Sequence, residues 1–246
     1  MKTDDREIIA SSLGELPERT GEVRQLSDET WPKFLEYANV RKWYTIFDEH
    51  AAFQLALLEN ETLVAAGLTV PFDWHHGEPL PDTIDEIVHV ATWPLARPGG
   101  VLCALAALVT PDHRRREISR RILHEMVALA RRHDLAGVVA PVRPTRKAEF
   151  PREPIERYAN RRLEDGRLFD PWLRVHEELG ADRMGCMPRS LTVRGSRAEW
   201  EEWTGVPMNS GDSIEVPHAL APVEVDDSVG TCVYFEPNVW YFHPVG

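Results

Sequence analysis

The feature that most constrains this chain is a join between two segments. Residues 101–110 (VLCALAALVT) are almost unbroken apolar sequence, with Gly99 and Gly100 before them and Pro111 and Asp112 after. That length and those breakers predict a strand buried on both faces. Residues 114–132 follow at once. Ile118, Ile122, Met126 and Leu129 recur there at helical spacing, while Arg120, Arg121, Glu125, Arg131 and Arg132 fill the polar positions. A buried strand that runs straight into a helix aims several unpaired N–H groups at one point. The helix dipole adds positive potential, and Arg114, Arg115 and Arg116 add full charges. The combination makes a candidate site for a phosphate or pyrophosphate. The alternative is an ordinary basic helix face in water.

Other elements read around that pair. Residues 1–21 are polar and punctuated by Gly14, Pro17 and Gly21, which predicts a loose lead-in. Residues 22–26 alternate and read as a first strand. Ser27 before Asp28 and Glu29 reads as the cap of a helix through Phe34, Leu35 and Ala38. Residues 53–58 and 63–70 flank a four-residue polar turn, the pattern of a β-hairpin. A strand is expected at 87–91, another at 137–142, a helix within 155–163, and a late strand at 188–194. Residues 171–179 begin with Pro171 and stop at Gly180, the asymmetry of a short helix. From Glu199 onward nine acidic residues meet no Lys or Arg, yet seven aromatics remain. Residues 199–246 are therefore expected to be an acidic, aromatic extension packed on a core of residues 22–198.

Composition narrows the function. Hydrophobic residues are 43% of the chain, enough to build a core. The net charge of −12 argues against nucleic acid and anionic membranes as partners. Three cysteines, far apart in sequence, make neither a disulfide framework nor a CxxC zinc site. His75 and His76 lack ligand-spaced partners, so no metal is expected. Nothing in the first residues resembles an export signal and no apolar run approaches ~20 residues, so a cytoplasmic protein is expected. The motifs of nucleotide-binding loops and of serine hydrolases are absent.

The run Val109-Thr-Pro-Asp-His-Arg114-Arg115-Arg116-Glu117-Ile118-Ser119-Arg120 resembles the acyl-CoA-binding motif of the GNAT (Gcn5-related N-acetyltransferase) superfamily. That motif has a Q/R-x-x-G-x-G/A core after an apolar strand and before an amphipathic helix. Arg114 falls on its first position, Glu117 on the first glycine and Ser119 on the second small residue. The resemblance spans about residues 22–195. It implies an α/β (α+β) fold with a mixed, mostly antiparallel central sheet flanked by helices, here followed by the C-terminal extension. It also implies that backbone amides along residues 114–120 hold the pyrophosphate of an acyl-CoA, or the phosphopantetheine arm of an acyl carrier protein, and that an N–H near Val109 polarises the thioester carbonyl. Glu117 departs from the motif by adding bulk and negative charge where glycine allows close approach. Either its side chain turns outward, or pyrophosphate binding weakens and a carrier-bound donor is favoured.

A second stretch, Pro171-Trp-Leu-Arg-Val-His176-Glu-Glu-Leu-Gly180, resembles the family's late helix, with His176 at the position of its acid tyrosine. Histidine can carry a proton near neutral pH. The alternative is a satisfied core histidine. A narrower resemblance, to the GNAT-like domains of polyketide loading modules, makes Thr145 a second catalytic candidate and Trp43 a pocket residue. The resemblances imply acyl transfer by direct attack of a small-molecule amine on the thioester. Two alternatives stay open: decarboxylation or hydrolysis of a carrier-bound acyl group, and a non-catalytic binding module. A homodimer is also compatible with the family, whose C-terminal strands often pair between subunits.

Overall fold

The computed structural model describes residues 8–40, 43–113, 117–209 and 213–246. The described residues begin with β1 (Ile8–Ser12), α1 (Thr20–Thr30) and the short α2 (Ile46–Glu49). The hairpin of β2 (Leu55–Glu59) and β3 (Thr62–Phe72) follows, then α3 (Ile84–Val90) and β4 (Val101–Val109). Next come α4 (Ile118–Arg132), β5 (Gly137–Val142), the one-turn α5 (Ile155–Tyr158) and α6 (Pro171–Glu178). The long β6 (Asp182–Ser196), α7 (Arg197–Thr204), β7 (Ser213–Ile214), β8 (Val223–Asp226) and β9 (Thr231–Pro244) complete the fold.

Among the described residues these strands form one sheet in the order β1-β2-β3-β4-β5-β9-β8-β7, with β6 along the other edge of β9. All pairings are antiparallel except that of β4 with β5. Alternate strand residues face two separate cores. Leu102, Val138 and Tyr241 pack with α4, α5 and α6, while Cys103, Val139 and Trp240 pack with α1, α2 and α3 on the opposite face. Helix α4 buries Ile118, Ile122, Leu123, Met126, Leu129 and Ala130, the stripe its periodicity predicts.

The parallel pairing of β4 and β5 is short. It comprises only Leu102 with Val138 and Cys103 with Val139, after which the strands diverge. A bulge explains the divergence. Against β3, Thr69 pairs with Ala104 and Leu68 with Ala106, so Leu105 is the extra residue. An inserted residue bends its strand and increases the local twist. Here the bend leads β4 away from β5 at mid-length and opens a gap in the middle of the sheet.

Several expectations need correction. Residues 22–26 lie inside α1, where Ser27 is a buried interior residue and no cap. Residues 87–91 do not form a strand. Thr83 accepts a hydrogen bond from the Glu86 N–H and starts α3, and Ile84, Ile87 and Val88 bury one helical face. The supposed loose lead-in contains β1, paired with β2 from Ile8–Glu59 to Ser12–Leu55. Nor are the last residues an appendage. Strand β9 has β6 on one side and β5, then β8, on the other, so residues 231–244 complete the sheet itself. The aromatics Trp240, Tyr241 and Phe242 are buried in it.

One glycine fixes that insertion. A Cβ on Gly137, at the start of β5, would lie 2.3 Å from the His243 carbonyl oxygen and 2.6 Å from the Phe242 ring. Gly137→Ala must therefore push β9 away from β5, and overpacking of this kind costs about 1–3 kcal/mol. An unfolding free energy lower by that amount, read as a fall in the urea midpoint, is expected, and an unchanged midpoint would show that the β5–β9 contact is not tight.

Candidate functional site

A cavity of about 700 Å3 occupies the gap between β4 and β5 and is lined by residues from both faces of the sheet. Its waist is made by Ala104–Leu108 of β4, beyond the last β4–β5 pair, and by Ala140, Pro141 and Val142 of β5. Proline is tolerated at 141 because β5 has lost its β4 neighbour there. On the α4–α6 face the walls are Ser119, Leu123, Met126, Trp172, Val175 and His176. On the α1 face they are Asp28, Trp31, Glu36, Trp43 and Tyr44, with Arg143, Glu236 and Asn238 at the sheet surface.

The first turn of α4 meets the cavity through Ser119. Arg114, Arg115 and Arg116 lie outside the described residues. Glu117, at the family's glycine position, adopts φ +59°, the left-handed conformation that glycine would supply. Its side chain is 80% exposed and pairs with Arg120 Nε at 2.9 Å, so it turns outward. Arg120 is also ion-paired with Glu178 of α6. Ile118 is buried in the core, and Val109 packs, half-buried, against that same core; the part of β4 on the cavity is Ala104–Leu108.

His176 lies in the last turn of α6, buried, with its ring stacked on Tyr241 and Trp172 edge-on to it. Its Nδ1 is 2.8 Å from His243 Nε2, and its Nε2 has no hydrogen-bond partner among the described residues. Burial, reinforced by His243, lowers the His176 pKa to about 3. Burial, reinforced by His124, lowers that of His243 to about 4. Both rings are neutral near pH 7, and in the shared hydrogen bond one donates and the other accepts. The expectation that His176 holds a proton near neutral pH is therefore corrected to a neutral imidazole whose buried Nε2 has no partner among the described residues.

Asp170 holds that helix in place. Its Oδ1 accepts the N–H groups of Trp172 and Leu173 at 3.0 and 3.2 Å, capping α6. Its Oδ2 accepts the Arg146 N–H and the Tyr158 hydroxyl, both at 2.8 Å. Thr145 lines the cavity and donates to Asp170 Oδ1 at 3.4 Å, which joins it to the same support. Thr145, His176 and Trp43 thus meet on one cavity, with Trp43 on the opposite face from the other two.

The sequence reading missed the groups supplied by β9. Buried Glu236 takes a short ion pair from Arg143 and a short hydrogen bond from the Tyr234 hydroxyl. Arg143 also donates to the His218 carbonyl oxygen at 2.7 Å. Asn238 is 3% exposed and donates from Nδ2 to the Pro141 carbonyl oxygen at 3.2 Å. The available signal was two polar residues, 236 and 238, at strand period on one face of an otherwise apolar run. Among the described residues no group of three His, Cys, Asp or Glu side chains is placed to hold a metal ion, and no helix is long and apolar enough to cross a membrane.

No protein-family model matches the chain. The arginine N-acetyltransferase avaD of Aspergillus versicolor is 30% identical to it over 248 residues, covering 87% of this chain and 85% of that protein. Among solved structures, the loading GNATL domain of CurA from Lyngbya majuscula aligns with a TM-score of 0.61 at 17% identity, over 97% of each chain. The GphF GNAT-like decarboxylase, in complex with isobutyryl-CoA, aligns with a TM-score of 0.59 at 18% identity, over 98% of this chain and 100% of its own. The chain, with its sheet parted between two parallel strands, thus shares the fold of these GNAT-like domains. The chain belongs to the GNAT superfamily and is an N-acyltransferase.

Proposed function

We propose that this N-acyltransferase takes its acyl group from a CoA thioester and delivers it by direct attack to the nitrogen of a cationic, arginine-like acceptor. The observation that carries the reading is the cavity, which is continuous through the sheet but different at its two ends. The α4 start and His176 lie toward one face. Aromatic rings and the carboxylates of Asp28 and Glu36 lie toward the other. Helix-start N–H groups suit the donor's phosphates, while paired carboxylates and aromatic faces suit a guanidinium. The 30% identity to an arginine N-acetyltransferase supports the same acceptor class. Outward-turned Glu117 leaves the pyrophosphate position clear, which supports CoA as donor ahead of a carrier protein.

In this mechanism the acceptor nitrogen forms a bond to the thioester carbon and the C–S bond breaks. His176 Nε2 takes the proton from the attacking nitrogen and returns it to the departing sulfur. A developing thiolate beside Nε2 favours the charged imidazolium, raising its low resting pKa when the proton is needed. Much of the acceleration comes from holding both substrates in the gap.

The test is a donor screen with acetyl-CoA, longer acyl-CoAs and acyl carrier proteins, read by thermal shift and by turnover with L-arginine. A saturating acyl-CoA at 100 times its Kd should stabilise the fold by about 2.7 kcal/mol. If no thioester stabilises the protein, the proposal fails. Thr145 and His176 on one cavity also favour a second reading, decarboxylation of a malonyl thioester. Malonyl-CoA or a malonyl carrier incubated without acceptor separates the two readings. Loss of carbon dioxide supports decarboxylation, and an intact malonyl group leaves acyl transfer.

A further inference from the structure

Two polar atoms of residues on the α1 side of the cavity are left without a partner among the described residues, Ser27 Oγ on α1 and Asn238 Oδ1 on β9, and only the second lies beside the β4–β5 gap. Asn238 Oδ1 is buried and has no hydrogen-bond partner among the described residues. The orientation of the amide is set by its surroundings. Nδ2 donates to the Pro141 carbonyl oxygen, and a flipped amide would place oxygen against oxygen. The acceptor atom is therefore oxygen, and leaving such a group unpaired costs about 1–3 kcal/mol. A buried group left unsatisfied calls for an explanation, and a role in binding or catalysis is one.

Its position identifies that ligand. Pro141 lies two residues past the last β4–β5 pair, so Asn238 sits beside the gap where the thioester carbonyl must be attacked. Asn238 shares its face of β9 with Glu236, Trp240 and Phe242, the α1 side of the sheet, opposite His176. We infer that Asn238 Oδ1 accepts an N–H from the attacking nitrogen and restricts the acceptor to a primary nitrogen, a terminal NH2 of an amine or guanidine. This assignment rests on the proposed N-acyl transfer and adds a selecting residue to it.

Hydrogen counting gives the selectivity. The attacking atom must direct its lone pair at the carbonyl carbon and lose one hydrogen. A neutral primary nitrogen keeps a second hydrogen, which satisfies Asn238 throughout the step. A hydroxyl or a secondary amine has a single hydrogen, the one that must leave, so Asn238 is stranded as the bond forms. A site whose polar group is left unpaired rejects such substrates far more strongly than a hydrophobic pocket does. The neighbouring Glu236 does not compete for the role, because Arg143 and Tyr234 already occupy its two oxygens.

The experiment uses the full chain with acetyl-CoA and three acceptors: L-arginine, n-butylamine and n-butanol. The wild type should acylate nitrogen and leave n-butanol unchanged. Asn238→Leu should lower kcat/KM for the nitrogen acceptors by ten- to a hundredfold, with the KM for acetyl-CoA and the thermal shift it gives unaltered. Asn238→Asp, protonated in this buried setting, keeps both a donor to Pro141 and a carbonyl oxygen toward the cavity, and should recover most of the loss. The inference is overturned if acetyl-CoA binds and neither nitrogen acceptor is acylated. It is also overturned if n-butanol reacts as fast as n-butylamine, or if Asn238→Leu weakens donor and acceptor equally. Failure of acetyl-CoA to stabilise the wild type instead removes the proposed function on which the inference depends.

Discussion

His176→Phe is expected to lower kcat by about 10²–10⁴, the range for loss of a positioned proton-transfer group, while the KM for the acyl donor stays within a few-fold. The substituted ring can still stack on Tyr241 and meet Trp172 edge-on, so the α6 wall of the cavity is kept. What disappears is Nε2, a buried nitrogen without a partner among the described residues. A proton from the attacking nitrogen then has no nearby acceptor, and the thiolate must leave unprotonated. The measurement is steady-state turnover, with donor binding followed separately by thermal shift. A parallel fall in donor affinity and kcat would make His176 a wall residue, and unchanged kcat would remove its chemical role. His176→Gln returns an N–H donor without a base and should remain near the phenylalanine variant if proton uptake is the essential act.

The sequence was most legible where local and global signals agreed. Residues 101–110 and the helix after them stood out because an unbroken apolar run, sharp breakers and a 3.6-residue stripe all describe the same join. The divergence of β4 from β5 was not legible. It depends on an extra residue, Leu105, which is defined only by the pairing with β3. Residues 87–91 read as a strand because so short an apolar run does not separate the two periods, although Thr83 and the acids at 85 and 86 carried the helix-start signature. Of the residues singled out in the sequence, Trp43, Ser119, Thr145 and His176 line the cavity. The groups that β9 brings to it were not legible. Glu236 meets Arg143 across 93 residues and Asn238 meets Pro141 across 97, through the last strand of the chain, which lies inside the sheet. Acidic composition made residues 199–246 look peripheral, yet their alternate residues include the buried wall of the cavity. His243 was missed for the same reason: its partner, His176, lies 67 residues upstream.

Below neutral pH the same histidine pair should make the fold acid-sensitive. Both imidazoles are neutral in the folded protein, with pKa values lowered to about 3 for His176 and about 4 for His243 by burial. In the unfolded chain each takes up a proton near pH 6.5. The unfolded state therefore binds more protons between those values, and stability rises with pH across the window. It is complete above about pH 7 and is lost as pH falls toward 4. Linkage gives a loss of about 2 kcal/mol per imidazole by pH 5, and about 4 kcal/mol for the pair, a large share of a typical domain's 5–15 kcal/mol. His50 and His133, also lowered chiefly by burial, act in the same direction, so the diagnostic quantity is a difference between proteins. Urea midpoints at pH 7.5 and pH 5 should separate widely in the wild type. His176→Phe should reduce that separation by about the contribution of one imidazole, and adding His243→Phe should reduce it again. Depressed carboxylates such as Glu78, with a pKa near 2, titrate below this window and leave the comparison clean. An acid limb equally steep in the wild type and both variants would mean that the pair is already protonated in the native state, and the neutral relay assigned to His176 would fall with it.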